Sequence, residues 1–311
     1  MPNHYLVTGG AGFIGSHIVE KLILNGHKVR VFDNLSTGRM ENLAPVEKKI
    51  DFSKEDIRDR GRLVQAMSGI DMVFHQAALP SVPRSIEEPR ACHEVNITGT
   101  LNVLLAARQA GVQRVIYAGS SSAYGDTPVL PKKEDMPPSP LSPYALAKLT
   151  GEYYCRVFSL VYGLETITLR YFNVFGPRQN PESQYAAVIP KFIQAVLNGE
   201  KPAVFGDGGQ TRDFTYVGNV ADANILAARA EKTSGNVVNV AAHIQISLNQ
   251  LLNTLENISG RKIHPRYEPP RPGDVRHSFA DISRARQLLG YSPAVSFEEG
   301  LKLTMRWMQK A

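Results

Sequence analysis

A short apolar run, His4-Tyr5-Leu6-Val7-Thr8, breaks into Gly9-Gly10-Ala11-Gly12-Phe13-Ile14-Gly15 and then into a helical pattern that continues through Leu24. Strand, glycine turn and helix in that order limit what this chain can fold into more than any other feature. Such a turn lets the backbone approach a pyrophosphate, whose charge is met by the amides and the positive end of the helix. The glycines recur at positions 9, 12 and 15, a spacing of three and three rather than the two and three of the common dinucleotide fingerprint. A second strand over Lys28–Phe32 ends in Asp33, at the distance where an acidic residue accepts hydrogen bonds from an adenosine ribose. A carboxylate there repels a 2′-phosphate, so the expected cofactor is NAD rather than NADP.

Further strand-like runs at 50–52, 71–74, 114–118 and 166–170 alternate with helical segments such as 94–109 and 144–162. Alternation of this kind predicts an α/β fold, a doubly wound parallel sheet of Rossmann type with helices on both faces. In such sheets ligands bind beyond the carboxyl ends of the strands, where the glycine turn, Asp33 and the 118–122 segment fall. Pro128, Pro131, Pro137, Pro138, Pro140 and Pro143 exclude regular structure just before Tyr144, and this loop is expected to close over the site. After about Asn173 the alternation decays, and Gly206-Asp207-Gly208-Gly209 and residues 265–273 mark turns around shorter elements. The expected organisation is a nucleotide-binding domain over 1–174, with 215–242 returning to it. A smaller, discontinuous C-terminal substrate-binding lobe takes mainly 175–214 and 243–311.

Tyr144 and Lys148 stand four residues apart on a predicted helix and so share one face. An ammonium beside a phenol stabilises the phenolate and lowers a pKa normally about 10, giving a base that works near neutral pH. Ala118-Gly119-Ser120-Ser121-Ser122 leaves a strand at the same end of the sheet, which brings Ser120 to the same address.

The glycine turn, Asp33, Tyr144 and Lys148, in this order and at these separations, resemble the extended short-chain dehydrogenase/reductase family over essentially the whole chain. Within it the chain looks closest to the NAD-dependent nucleotide-sugar epimerase/dehydratase group. The resemblance implies that Ser120 hydrogen-bonds the reacting hydroxyl and completes a catalytic set with Tyr144 and Lys148. It implies that Phe13, Ile14, Asn34, Gln76, Ala77, Ala78, Tyr171, the adenine-side pair Asp56 and Ile57, and the structural Asn96 serve the cofactor. Dehydratases of the group carry an Asp-Glu pair where this chain has Ser121 and Ser122, so dehydration is disfavoured.

Tyr171-Phe172-Asn173-Val174-Phe175-Gly176-Pro177-Arg178 resembles the substrate-side signature of nucleotide-sugar epimerases, with Asn173 on the diphosphate. By the same resemblance Ala187, Val188 and Phe205 meet a uracil, Arg212 and Arg271 clamp the diphosphate, and Asp274 binds the uridine ribose. Arginine suits that task because its planar fork donates two bonds to phosphate oxygens. Ser278 falls where a tyrosine confines relatives to glucose and galactose, and its small side chain leaves room for an acetamido group. With Ser81 in the segment Leu79-Pro80-Ser81-Val82-Pro83-Arg84-Ser85, these residues look closest to UDP-N-acetylglucosamine 4-epimerases. The expected activity is therefore NAD-dependent inversion at C4 of a UDP-sugar, UDP-GlcNAc/UDP-GalNAc and also UDP-Glc/UDP-Gal. A UDP-glucuronate 4-epimerase/decarboxylase, a reductase of the same fold and a non-catalytic nucleotide-sensing module are the alternatives.

The basic balance, +6 with a pI near 9.2, comes from cations spread along the chain, which argues against nucleic acid and suits an anionic substrate. No apolar stretch is long enough to span a membrane, and the first strand leaves no room for a signal peptide, so a cytoplasmic location is expected. Cys92 and Cys155 fall inside predicted helices as reduced packing residues, and the 8 histidines show no ligand spacing, so no metal is expected. The family commonly dimerises by packing the helices at 94–109 and 144–162 into a four-helix bundle, which implies a homodimer. Tyr153, Tyr154, Val157, Phe158 and Val161 offer apolar surface for both core and interface, and periodicity does not separate the two.

Overall fold

The computed structural model describes residues 3–181, 187–231, 233–270 and 276–310. Its first half runs β1 (His4–Thr8), α1 (Phe13–Leu24), β2 (Lys28–Phe32), β3 (Ile50–Ser53), α2 (Arg60–Ala66), β4 (Met72–His75), α3 (Val82–Glu87) and α4 (Pro89–His93). It continues through α5 (Gly99–Ala110), β5 (Arg114–Ser120), α6 (Pro143–Tyr162) and β6 (Glu165–Tyr171). Then come β7 (Val174–Phe175), α7 (Val188–Asn198), β8 (Ala203–Phe205), β9 (Thr211–Arg212), β10 (Thr215–Tyr216), α8 (Val217–Arg229) and β11 (Asn236–Val240). The chain closes with β12 (Ile246–Ser247), α9 (Leu248–Ser259), β13 (Arg266–Glu268), α10 (Ser283–Leu289) and α11 (Phe297–Met308).

A 7-stranded sheet in the order β11-β6-β5-β4-β1-β2-β3 forms the frame, every neighbouring pair parallel. Strands covered on both faces need apolar residues at nearly every position, which is how Val115, Ile116 and Tyr117 in β5 and Ile167 and Leu169 in β6 come to be buried. The order reverses at β1, which pairs with β2 on one side and β4 on the other, and this opens a crevice above their carboxyl ends. The expected helix over 94–109 is split: a π turn at Glu94–Thr98 separates α4 from α5. The wider turn brings the Thr100 hydroxyl onto the Asn96 carbonyl at 2.7 Å, a link used by the site below.

The lobe has its own core, in which Phe175, Phe214 and Phe297 pack together and Phe214 stacks on Phe297 at 5.8 Å. Part of the 243–311 stretch leaves it: Ala285, Leu289 and Tyr291, in and after α10, pack into the core of the sheet. The proline-rich loop is strapped to segments outside it. Lys132 N donates to Phe279 O at 2.7 Å, Asn239 Nδ2 donates to Lys132 O at 3.0 Å, and Ser139 N donates to Ala123 O at 2.9 Å. A buried side-chain donor and two backbone acceptors outside the loop hold it there, which its own sequence does not reveal.

Candidate active site

The crevice is lined by Gly9, Gly12, Phe13, Ile14, Gly15, Asp33, Asn34, Asp56, Ile57, Gln76, Ala77, Ala78, Tyr144, Lys148 and Tyr171. The glycines there are steric requirements. Gly9 has φ +68°, and a Cβ on it would stand 2.6 Å from Ala77 N; a Cβ on Gly15 would stand 2.1 Å from Gly9 O. Gly12 is the N-cap of α1 and offers no capping side chain, so the first-turn amides remain for an anionic ligand. Asp33 closes the groove beyond them. Its carboxylate accepts from Ala11 N at 2.9 Å and Leu35 N at 2.8 Å; burial raises its pKa while these two amides pull it back. Asn34 Nδ2 donates to Asp56 at 2.8 Å, and the Arg58 guanidinium holds the Asp56 carboxyl down at about 2. A tight turn, an uncapped helix and a carboxylate fit a dinucleotide with a free 2′-hydroxyl.

Asn96, expected at the cofactor, does not line the groove. Its Oδ1 accepts from Leu79 N at 2.8 Å and its Nδ2 donates to Leu79 O at 3.2 Å, so it holds the wall from behind. A second set of bonds fixes Gln76 and Tyr171. Tyr171 Oη donates to Gln76 Oε1 (3.2 Å), Gln76 Nε2 to Asn224 Oδ1 (3.2 Å), and Asn224 Nδ2 to Tyr171 Oη (2.9 Å). Asn224 comes from α8 and carried no signal in the sequence. The groove is also lined by Ser36, Thr37, Glu55, Pro80 and Val95, which the sequence reading did not single out. Ser36 and Thr37, three and four residues past Asp33, had a positional signal; Val95, delivered by the π turn, had none.

At the inner end of the groove Ser142 caps α6 by accepting from Ala145 N at 3.1 Å, with Pro143 at the first helical position. Tyr144 thus sits in the first turn, anchored where its N–H donates to Ser85 Oγ at 3.1 Å. One turn on, Lys148 is buried, donates to Ala118 O at 2.9 Å and lies 5.2 Å above the Tyr117 ring. The expected lowering of the phenol by the ammonium is not what this fold shows. Burial raises Tyr144 above the ordinary tyrosine value, and the nearby Ser120 hydroxyl pulls it partly back. Burial also brings Lys148 down to about 8, because a charged amine loses its hydration there. Ser120 Oγ lies 2.8 Å from Ser122 Oγ and accepts from Ser122 N at 3.2 Å, and Ser121 begins the 3₁₀ turn that follows.

The substrate-side residues are gathered by backbone pairing. Thr211 N donates to Arg276 O (3.0 Å) and Ser278 N to Thr211 O (3.1 Å), which sets Ser278 alongside β9, the strand that carries Arg212. Arg212 itself donates to Thr211 O at 2.9 Å and Arg276 O at 3.2 Å. Asn173, at φ 32°, donates through Nδ2 to Asp213 O at 3.3 Å, and its own carbonyl accepts from Thr215 N at 3.2 Å. Phe205 O accepts from Gln210 Nε2 at 2.6 Å. Ala187 is the N-cap of α7 and Val188 its first residue. Ser81 caps α3, accepting from Arg84 N at 3.1 Å, and does not line the groove. Arg271 and Asp274 lie outside the described residues. Sequence reasoning missed Asp213, a buried carboxylate that accepts from Ala242 N at 3.0 Å and Ala280 N at 3.2 Å and is pushed up to about 6 by burial. Among the described residues no group of three or more His, Cys, Asp or Glu could hold a metal ion, and no helix is long and apolar enough to cross a membrane.

Residues 5–241 match the model of the NAD dependent epimerase/dehydratase family. A UDP-glucose 4-epimerase of Mycolicibacterium smegmatis is 40% identical over 310 residues, covering 98% of each chain. The structure of a UDP-N-acetylglucosamine 4-epimerase from Methanobrevibacter ruminantium, in complex with UDP-N-acetylmuramic acid, superposes with a TM-score of 0.95 at 44% identity, over 100% of this chain and 99% of that one. A UDP-glucose 4-epimerase from Thermotoga maritima, solved with UDP-glucose, gives a TM-score of 0.94 at 42% identity over 99% of each.

Proposed function

The chain belongs to the NAD dependent epimerase/dehydratase family, and from that premise we propose that it is an NAD-using isomerase that inverts C4 of UDP-N-acetylglucosamine and UDP-N-acetylgalactosamine, and of UDP-glucose and UDP-galactose. One observation carries the reading: Tyr144, Lys148 and the glycine turn line the same groove, with Ser120 ending β5 next to Gly119 of its wall. NAD, when bound, supplies the two-electron oxidant for C4 and a positive charge beside the phenol.

Tyr144 is the base that takes the proton of the C4 hydroxyl and later returns it to the 4-keto carbon's oxygen. Burial raises its phenol above the ordinary tyrosine value, so Tyr144 holds its proton until opposite charge stands beside it. Ser120, held by the Ser122 amide and hydroxyl, passes a proton between phenol and sugar. Lys148, fixed on the Ala118 carbonyl, orients the cofactor side of the groove. Ser121 and Ser122 supply no carboxyl group, so elimination of water has no acid and base there. The keto sugar turns over while its UDP portion stays held by Asn173, Arg212, Phe205 and Val188, with Arg271 and Asp274 assigned to the same task.

Ser278 is the residue we assign to sugar choice, because its small side chain leaves volume for an acetamido group. Interconversion of UDP-GlcNAc, UDP-Glc and UDP-glucuronate by the purified protein, with no added oxidant, tests the activity. Loss of only the N-acetylated activity in Ser278→Tyr supports the pocket, and unchanged selectivity removes it. Activity confined to UDP-glucuronate, or cofactor consumed in proportion to product, replaces the reading by its alternatives. We further assign a homodimer in which α5 and α6 of two copies pack into a four-helix bundle, since Leu146, Tyr153, Val157, Leu160 and Val161 of α6 are exposed while Phe158 is buried in the core. Sedimentation that gives a monomer at micromolar concentration removes that assignment.

A further inference from the structure

A ring of hydrogen bonds closes behind the groove wall, and their directions leave one assignment. The Thr100 hydroxyl donates its single proton to the Asn96 carbonyl at 2.7 Å, so at 3.0 Å it accepts from His75 Nε2. His75 therefore carries its proton on Nε2, and its bare Nδ1 accepts from the Thr8 hydroxyl at 2.7 Å. Thr8 Oγ1 in turn accepts from Ala77 N at 3.4 Å. At the far end Asn96 grips both backbone groups of Leu79. The path leaves the wall at Ala77 and re-enters it at Leu79.

We propose that His75 is a positioning residue, locked as the neutral Nε2–H tautomer, that sets the spacing between the glycine turn and the 77–79 wall and so the width of the dinucleotide groove. The spacing has no slack, since a Cβ on Gly9 would come within 2.6 Å of Ala77 N. From Ala77 to Asn96 every donor points the same way, so the bonds polarise one another. A second ring proton would leave Thr8 with no acceptor in a place where Thr8 and Thr100 are both buried. Around the ring stand Tyr117, 5.6 Å away, and the Lys148 ammonium, which together with burial drives the imidazole down to about 3. An apolar residue of similar size would fill the space and strand two hydroxyls.

The inference rests on the NAD reading for its consequence but not for its chemistry, and the two are tested apart. Long-range proton–nitrogen spectra of the holo-protein, labelled in histidine, are expected to show His75 protonated on Nε2 only and not titrating between about pH 8 and 5. A proton on Nδ1, or titration near the ordinary histidine value, overturns the proposal. Thr8→Val and Thr100→Val should each speed loss of bound NAD about tenfold, the worth of one hydrogen bond. The double variant should lose less than the product of the two, because both act through one ring. Lower thermal stability with an unchanged NAD off-rate, or strictly additive effects, reduces His75 to packing and overturns the proposal. Wild-type protein that holds no NAD removes the cofactor reading, and the tautomer then decides the ring alone.

Discussion

The cofactor half and the substrate half of the crevice are built by different means. In the first, each functional residue follows a sheet strand by a few positions: Gly9 after β1, Asp33 after β2, Gln76 after β4, Ser120 at the end of β5. Parallel pairing of those strands delivers them to one address without further help. In the second, Asn173, Arg212 and Ser278 come from segments more than thirty residues apart, joined by backbone bonds across β9 and the buried Asp213 carboxylate. Local pattern writes the first half, and long-range pairing assembles the second.

Variants can separate the halves. Tyr144→Phe, at their junction, should cost about a thousandfold in turnover with NAD still bound, within the range of lost general acid–base catalysis. A fall of less than tenfold in a single-turnover assay would remove Tyr144 as the base. Gly15→Ala attacks the cofactor half alone: a Cβ 2.1 Å from Gly9 O forces the turn to move. Loss of NAD absorbance and about 3 kcal/mol of stability are expected, as for overpacking at a rigid site. Arg212→Ala attacks the substrate half, raising KM for the UDP-sugar about ten- to hundredfold, the worth of hydrogen bonds to a charged group, while NAD stays bound. Equal loss of both ligands would show the halves to be coupled rather than separate.

Protonation gives the finest distinction, because the halves respond with opposite sign. His75 is held near 3 in the fold against 6.5 unfolded, so its contribution is whole above pH 6.5 and is lost as pH falls toward 3. At pH 5 the loss is about 2 kcal/mol. His17, held near 4 by burial and the neighbouring Arg178, adds in the same direction. Asp213, raised to about 6 from 3.8, contributes below pH 3.8 and loses that as pH rises through 6. Hydrogen exchange at pH 5 against pH 7 should therefore find β1 and β4 less protected at the lower pH and β9 and β10, which flank Asp213, more protected. A uniform change across both halves would contradict these assignments.

The sheet and its helices were readable because strand and helix periods repeat locally and parallel strands need long apolar runs. The split of the 94–109 helix was not, since a π turn leaves no mark in hydrophobic spacing. Tyr144 and Lys148 were correctly placed on one face, yet the sign of the phenol's shift was misread. Side-chain proximity follows from helix geometry, whereas a pKa follows from everything that excludes water around it. Asn224 and Asp213 were missed for a related reason: their partners lie far away in sequence, and nothing beside Asp213 in the Arg212 segment marks its burial.

What this sequence determined by itself is a set of backbone addresses, since a strand followed by glycines, an acid at a strand end and a phenol one turn from a lysine depend only on neighbours along the chain. Tertiary structure decided the rest. It put Phe158 in the core and left Tyr153, Val157 and Val161 exposed, paired Thr211 with residues 276–278, and fixed the proton of His75 on one nitrogen. Burial, hydrogen-bond direction and charge are properties of what packs around a residue, and for these residues the packing partners come from distant parts of the chain.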